Sequence, residues 1–195
     1  GEYDKAEKNF ERALALYTKA EAKDKADKAA RMLYFTYLDK GEKDKARKFL
    51  NDSVSKGLAQ GYFYSQLANF YYEEKNFDEA LKHNLKGLKA DPDEAENYFG
   101  AGVNYYYKRD NKQTLKYLEK VVPMYQKNQS LDYLGDAYAY LYKINIEEAN
   151  YFKITHRPFD NKYSYFSDNL LWRSRKNTTL QYLGHKNIGL ITAKS

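Results

Sequence analysis

"GYFYSQLANFYYEEKNFDEALKHNLKGLKADPDE" spans residues 61–94. Tyr64, Leu67, Ala68 and Tyr71 are spaced by three and four, which lays one apolar stripe along a helix. Ala68 and Ala80 are small enough to let two paired helices approach closely. Pro92 has no amide N–H to continue a helix, so it stops the second one.

Copies in the same phase flank this stretch. Residues 27–60 carry Leu33, Tyr37, Gly41, Ala46 and Leu50; residues 95–127 carry Tyr98, Ala101, Gly102, Tyr105, Leu118 and Val121. Residues 128–152 continue with Leu131, Leu134, Gly135 and Tyr138. The opening residues 1–20 read as the second half of an earlier unit, through Gly1, Ala6, Phe10 and Ala13. Residues 21–26, "EAKDKA", read as an insertion between units. Self-similarity at a fixed period is the mark of a repeat architecture, in which each unit buries its apolar face only against its neighbours.

The 61–94 unit resembles a tetratricopeptide repeat (TPR), with aromatic, small and Pro residues in that family's phase. The resemblance covers about residues 1–150 and implies an all-α, TPR-type α-solenoid of stacked helix–turn–helix repeats. Asn84 and Thr114 depart from it, standing where an aromatic and an Ala are usual. Beginning in mid-repeat and without Met, the chain is expected to be a piece of a longer array.

The resemblance also implies a role, protein–protein binding through a concave groove lined by the first helices. Mapped onto this sequence, the partner-binding candidates are Arg31, Phe35, Tyr62, Asn69, Tyr72, Phe99, Val103, Tyr106, Tyr107 and Tyr140. Tyr buries much area with few rotatable bonds, which suits recognition. The amide of Asn69 would hold a partner's backbone by a two-point hydrogen bond. One TPR subclass clamps the C-terminal carboxylate of chaperones with Lys, Asn and Arg. Here Ser65 holds the Lys position although Asn69 fits, and Gly100, Gln129 and Tyr133 stand where Asn, Lys and Arg are wanted. Without those cations a paired carboxylate lacks charge-assisted donors, so chaperone tails are not the expected partner.

Enzyme chemistry finds no foothold in the sequence. The three His, at 83, 156 and 185, are too scattered for a metal pair at helical spacing. Glu79 and His83 stand four apart, which is commonplace on a solvated helix face. "FGAG" at 99–102 falls inside a first helix, not between a strand and a helix as a phosphate-cradling loop should. A non-enzymatic protein without cofactor or metal is expected. The mean hydropathy of -0.92 and the lack of a long apolar run argue against a transmembrane helix. No Cys is present, which fits a cytosol or a periplasm. With no signal peptide in view the cytoplasm is the favoured expectation.

Residues 153–195 break the pattern. They hold eight Lys/Arg against two Asp/Glu, whereas residues 1–152 hold 25 of each sign. The net +6 therefore belongs to the tail, and a boundary is expected near residue 152. "TTLQYL" and "IGLITA" around "GHKN" predict a short hairpin, or a strand awaiting partners. The segment resembles part of the type IIG and type ISP restriction–modification adenine methyltransferases. The matching residues are Arg157, Pro158, Phe159, Asp160 and Tyr163, then Leu170, Leu171, Trp172, Arg173 and Arg175, then Asn187, Ile188, Gly189 and Leu190. The three prolines stand singly, so the Pro-Pro loop that grips a flipped base in those enzymes is not present. The tail is thus open to three readings: a cap on the repeats, a nucleic-acid contact, or a piece of another domain. In the second, Arg173, Arg175, Lys176 and Lys186 would pair with DNA phosphates.

Overall fold

The computed structural model describes residues 1–155, with side chains through residue 145. The predicted hairpin, the restriction–methyltransferase-like motif from Arg157 onward and the tail cations Arg173, Arg175, Lys176 and Lys186 lie outside the described residues. The described chain is all-helical. Its helices are α1 (Glu2–Lys19), α2 (Lys23–Asp39), α3 (Lys43–Ser55), α4 (Gln60–Glu73), α5 (Phe77–Ala90), α6 (Ala95–Tyr107), α7 (Asn111–Lys127) and α8 (Leu131–Thr155). The described chain divides into two compact units, the first Gly1–Asn104 and the second beginning at Tyr105.

One turn recurs throughout. Glu21, Gly41, Lys75, Arg109 and Gln129 all have positive φ, between 52° and 76°. Each is the middle of a three-residue link between two helices. The residue after it donates its N–H to a carbonyl five residues back: Ala22 to Tyr17, Glu42 to Tyr37, Asn76 to Tyr71, Asp110 to Tyr105 and Ser130 to Tyr125, at 2.9–3.0 Å. This is the six-to-one bond that closes a helix on a left-handed residue. Gly41, Lys75 and Arg109 are 34 residues apart, as are Tyr37, Tyr71 and Tyr105, so the sequence period is a geometric period. Asn76 and Asp110 then cap the next helix, accepting from the N–H of Glu79 and Gln113 at 3.3 and 3.0 Å.

The expected insertion at 21–26 is instead mostly helix. The α1–α2 link is only Ala20–Ala22, and residues 23–26 form the first turn of α2, with Ala26 buried. α5 ends at Ala90, followed by extended Asp91 and a turn at Pro92 and Asp93, as the Pro stop requires.

Small residues bring the helices together where the repeat pattern places them. Ala46 and Ala80 have no exposed surface and Ala68 only 1 %. In the first unit Leu33, Tyr34, Tyr37, Leu50, Phe63 and Leu67 form one core cluster. The two departures from the pattern are accommodated differently. Thr114 is fully buried and satisfies its hydroxyl by donating to the Asp110 carbonyl at 2.8 Å. Asn84 is buried on α5 against Gly100 of α6, whose absent Cβ would lie 2.6 Å from Asn84 Oδ1. Asn97 makes the matching approach to Gly87, while its Nδ2 donates to the Gly61 carbonyl at 2.8 Å. A seam of facing Asn and Gly residues therefore registers α6 on α5 and α4.

A non-Gly residue held left-handed carries backbone strain of about 1 kcal/mol. Lys75→Gly should therefore stabilise the fold by about 0.5 kcal/mol, after allowing for the greater freedom glycine gives the unfolded chain. Gly41→Ala should destabilise it by about 1 kcal/mol, because φ there is +76° although no atom obstructs a Cβ. Thermal unfolding of the two variants checks both signs.

Candidate functional site

In the first unit the expected partner-binding residues lie on α2 (Arg31, Phe35), α4 (Tyr62, Asn69, Tyr72) and α6 (Phe99, Val103). Phe35 is 44 % exposed, unusually high for a ring embedded among others. Its centroid lies 5.6 Å from Tyr34 and 6.3 Å from Tyr62. Tyr34 is buried beneath, edge-on to Phe63 at 6.0 Å, with its hydroxyl donating to Gln66 Oε1 at 3.3 Å. The surface rings thus rest directly on the core cluster. Burial pushes the Tyr34 hydroxyl above the ordinary tyrosine range, which keeps it a neutral donor.

Arg31, one helical turn before Phe35, lays its guanidinium over the Tyr62 ring at 4.3 Å from the centroid. The same guanidinium lies 3.8 Å from a carboxylate oxygen of Glu94, in the turn between α5 and α6. Glu94 is only 14 % exposed, and its carboxyl is pushed up to about 8. Burial is the main cause, followed by a hydrogen bond and charge repulsion from Glu96; Asp91 adds to it and Arg31 opposes it. Sequence reasoning did not single out Glu94. It stands outside every helical stripe, and only the acidic "DPDEAE" run signals it.

Asn69 is exposed on α4. Tyr72 is half-buried, 5.8 Å from Phe77. Phe99 is half-buried on α6. Val103 does not fit its expected place: it is only 5 % exposed and belongs to the core, so it offers no side-chain surface to a partner. In α6 residues 101–104 are all buried, polar Asn104 with Ala101, Gly102 and Val103, and the buried stripe is wider than the repeat phase suggests.

The second unit brings the remaining three together. Tyr106 meets Tyr107 at 5.6 Å and Tyr140 of α8 at 5.3 Å, both edge-on. Lys143 places its ammonium 4.9 Å from the centre of the Tyr140 ring. Tyr107 is 43 % exposed. Tyr105 faces away from this group, stacked on Tyr117 at 5.4 Å.

Catalytic geometry is not evident among the described residues. His83 stacks on Tyr71 at 5.1 Å and 18°, and burial holds it below the usual imidazole range. No group of three His, Asp or Glu residues there is arranged to hold a metal ion. No described helix is long and apolar enough to cross a membrane.

Ionising Glu94 costs folding free energy, and the sign follows from linkage. An ordinary glutamate in the unfolded chain has lost its proton by pH 5–6, whereas Glu94 keeps its proton in the folded state until about pH 8. The folded state therefore binds more protons, and this residue's contribution falls as pH rises from about 5 through 8. Glu94→Gln should match the wild type in Tm near pH 5 and exceed it by about 2–4 °C at pH 9, if the relief is about 1 kcal/mol. A constant difference across that range would contradict the assignment.

A family model, "Tetratricopeptide repeat", matches residues 5–57. No curated protein matches the chain in sequence. Among solved structures, Pseudomonas aeruginosa PilF superposes with a TM-score of 0.63 at 13 % identity, covering 100 % of this chain and 88 % of that one. MamA gives a TM-score of 0.47 at 16 % identity, covering 77 % of this chain and 90 % of that one. YrrB, described as a TPR protein with an unusual peptide-binding site, gives 0.28 at 22 % identity, covering 60 % and 78 %. Residues 5–57 thus carry the tetratricopeptide-repeat signature directly, and the described chain has a TPR-type helical-repeat fold.

Proposed function

We propose that the chain is a non-enzymatic scaffold that binds a peptide or protein segment on the Tyr-rich faces of its first helices. The observation that carries this reading is Phe35, a large ring held nearly half exposed by a cluster rooted in the core. A ring fixed in this way loses little conformational entropy on binding, which is what an anchor residue needs. Arg31, Tyr62, Asn69, Tyr72 and Phe99 extend the same face in the first unit. Tyr106, Tyr107 and Tyr140 supply a separate aromatic face in the second.

Aromatic anchors at the centre of an interface are worth about 2 kcal/mol or more when truncated. Phe35→Ala with Tyr107→Ala should therefore lower partner capture from the source organism's extract by about tenfold or more. Tyr3→Ala, on α1 and 53 % exposed, serves as the control and should leave capture intact. Unchanged capture by the double variant, with an unchanged melting curve, would sink the assignment.

The excess charge of residues 153–195 favours a second reading, a restriction–modification-associated protein whose tail contacts DNA. In that case duplex DNA should bind the full chain with a steep salt dependence. Neutralising Arg173, Arg175, Lys176 and Lys186 to Gln should flatten the log–log salt slope by about 3–4. A slope insensitive to those four changes would remove the reading.

A further inference from the structure

The α2 face of the first unit carries an imbalance that the scaffold reading leaves unused. Arg31 is the cation within ion-pair distance of Glu94, at 3.8 Å, and it is shared with the Tyr62 ring. Around Glu94 stand further carboxylates: Glu96 on α6, hydrogen-bonded to it, and Asp91 at the end of α5. Asp91 already accepts from the Asp93 N–H at 3.1 Å. Tyr62, from α4, meets the same guanidinium with a neutral ring face. Beside this group, on the same helix as Arg31, the Phe35 ring and Met32 are exposed at 44 % and 47 %. Among the described residues, an apolar, aromatic surface therefore borders a carboxylate group with one cation, Arg31, at ion-pair distance of Glu94.

We infer that this face docks a basic peptide segment, one whose Lys or Arg stacks over Phe35 and reaches Glu94 and Glu96. The inference rests on the scaffold reading and names the chemistry of its partner. Three features support it. The chain itself shows the binding mode, since Arg31 already combines ring face and carboxylate in this place. A second guanidinium or ammonium would complete the charge balance that one Arg leaves unfinished. An acidic segment, by contrast, would meet Glu96 and Asp91 with like charge and would have to take Arg31 from Glu94. Rings and carboxylates together favour a cation over a purely apolar partner.

Binding is then coupled to a proton. Glu94 is largely protonated at neutral pH, and an arriving cation favours its ionised form. The charged and titratable groups facing Glu94 are Arg31 from α2, Asp91 from the end of α5 and Glu96 from α6, with the Tyr62 ring from α4 beneath the guanidinium.

The test is a titration of the isotopically labelled full chain, followed by NMR. The probes are acetyl-Arg-Leu-Arg-amide and, as its charge reversal, acetyl-Glu-Leu-Glu-amide. The expected result is saturable shifts at Arg31, Phe35, Tyr62 and Glu94 with the Arg peptide only. Affinity should rise about three- to tenfold between pH 6.5 and pH 9. Phe35→Ala should weaken it about fivefold, and Glu94→Gln should abolish the pH dependence while leaving the fold intact. Equal or tighter binding of the Glu peptide at this face would overturn the inference and leave the scaffold reading standing. So would binding confined to Tyr107 and its neighbours, or affinity indifferent to pH. Saturable binding of neither peptide anywhere would overturn the inference and count against peptide binding as well.

Discussion

The structure depends on a left-handed residue placed once per helical hairpin. A helix that ends leaves carbonyl groups without partners, and a buried, unpaired carbonyl is costly. Here the chain reverses on one residue and returns an N–H to a Tyr carbonyl five positions earlier, in five separate links. That bond fixes both where one helix stops and the direction in which the next begins. Its recurrence at Gly41, Lys75 and Arg109 transmits a sequence period into a spatial one. Small residues at Ala46, Ala68 and Ala80 then set how close the helices come, and the large rings fill what remains.

The Asn–Gly seam is a second constraint, local to the first unit. Where most repeats place an aromatic residue, Asn84 packs on Gly100, and Asn97 bridges to Gly61 while lying against Gly87. Not all of this polar surface is satisfied: Asn84 Nδ2, Asn97 Oδ1 and Asn104 Oδ1 have no hydrogen-bond partner. Such groups weigh against stability by about 1–3 kcal/mol each unless a water reaches them. In return they define a register that smooth apolar packing would specify less sharply. That register presents the turn after α5, with Glu94, to Arg31 on α2. The candidate site therefore inherits its geometry from a buried polar contact on another face of α6.

Much of the helical architecture was legible because it follows from periodicity. Tyr71, Ala80 and Pro92 each occupy the place their spacing implies, and so do Ala46 and Leu50 one unit earlier. The links were less legible. Gly41 and Gly57 announce a left-handed turn; Glu21, Lys75, Arg109 and Gln129 adopt it because the hairpin imposes it. The same limit applies to Val103, whose repeat position suggests an outward side chain while the local packing of α6 buries it. Glu94 was invisible to a stripe-based reading, since its environment comes from helices more than sixty residues apart in sequence. Phe35 and Tyr62 were found, but not the Tyr34 ring beneath that makes them a platform.

Two kinds of charge contact coexist in the first unit, and their difference separates scaffold from site. Lys40 bridges Asp4 of α1 and Glu42 of the α2–α3 link at 2.9 and 3.1 Å, and Arg47 of α3 pairs with Glu74 after α4 while lying over Tyr71. In the Lys40 cluster opposite charges stabilise each other, holding the carboxylates of Asp4 and Glu7 below their usual range. At the exposed carboxylates of Asp4 and Glu74, solvent screening makes these pairs modest contributors to stability. At Arg31 the balance is reversed: one guanidinium faces a half-buried carboxylate at a looser distance, and the carboxyl holds its proton instead. A pair that serves only the fold would gain by closing. One that stays cation-poor beside an exposed ring retains binding free energy for a charge from outside the chain.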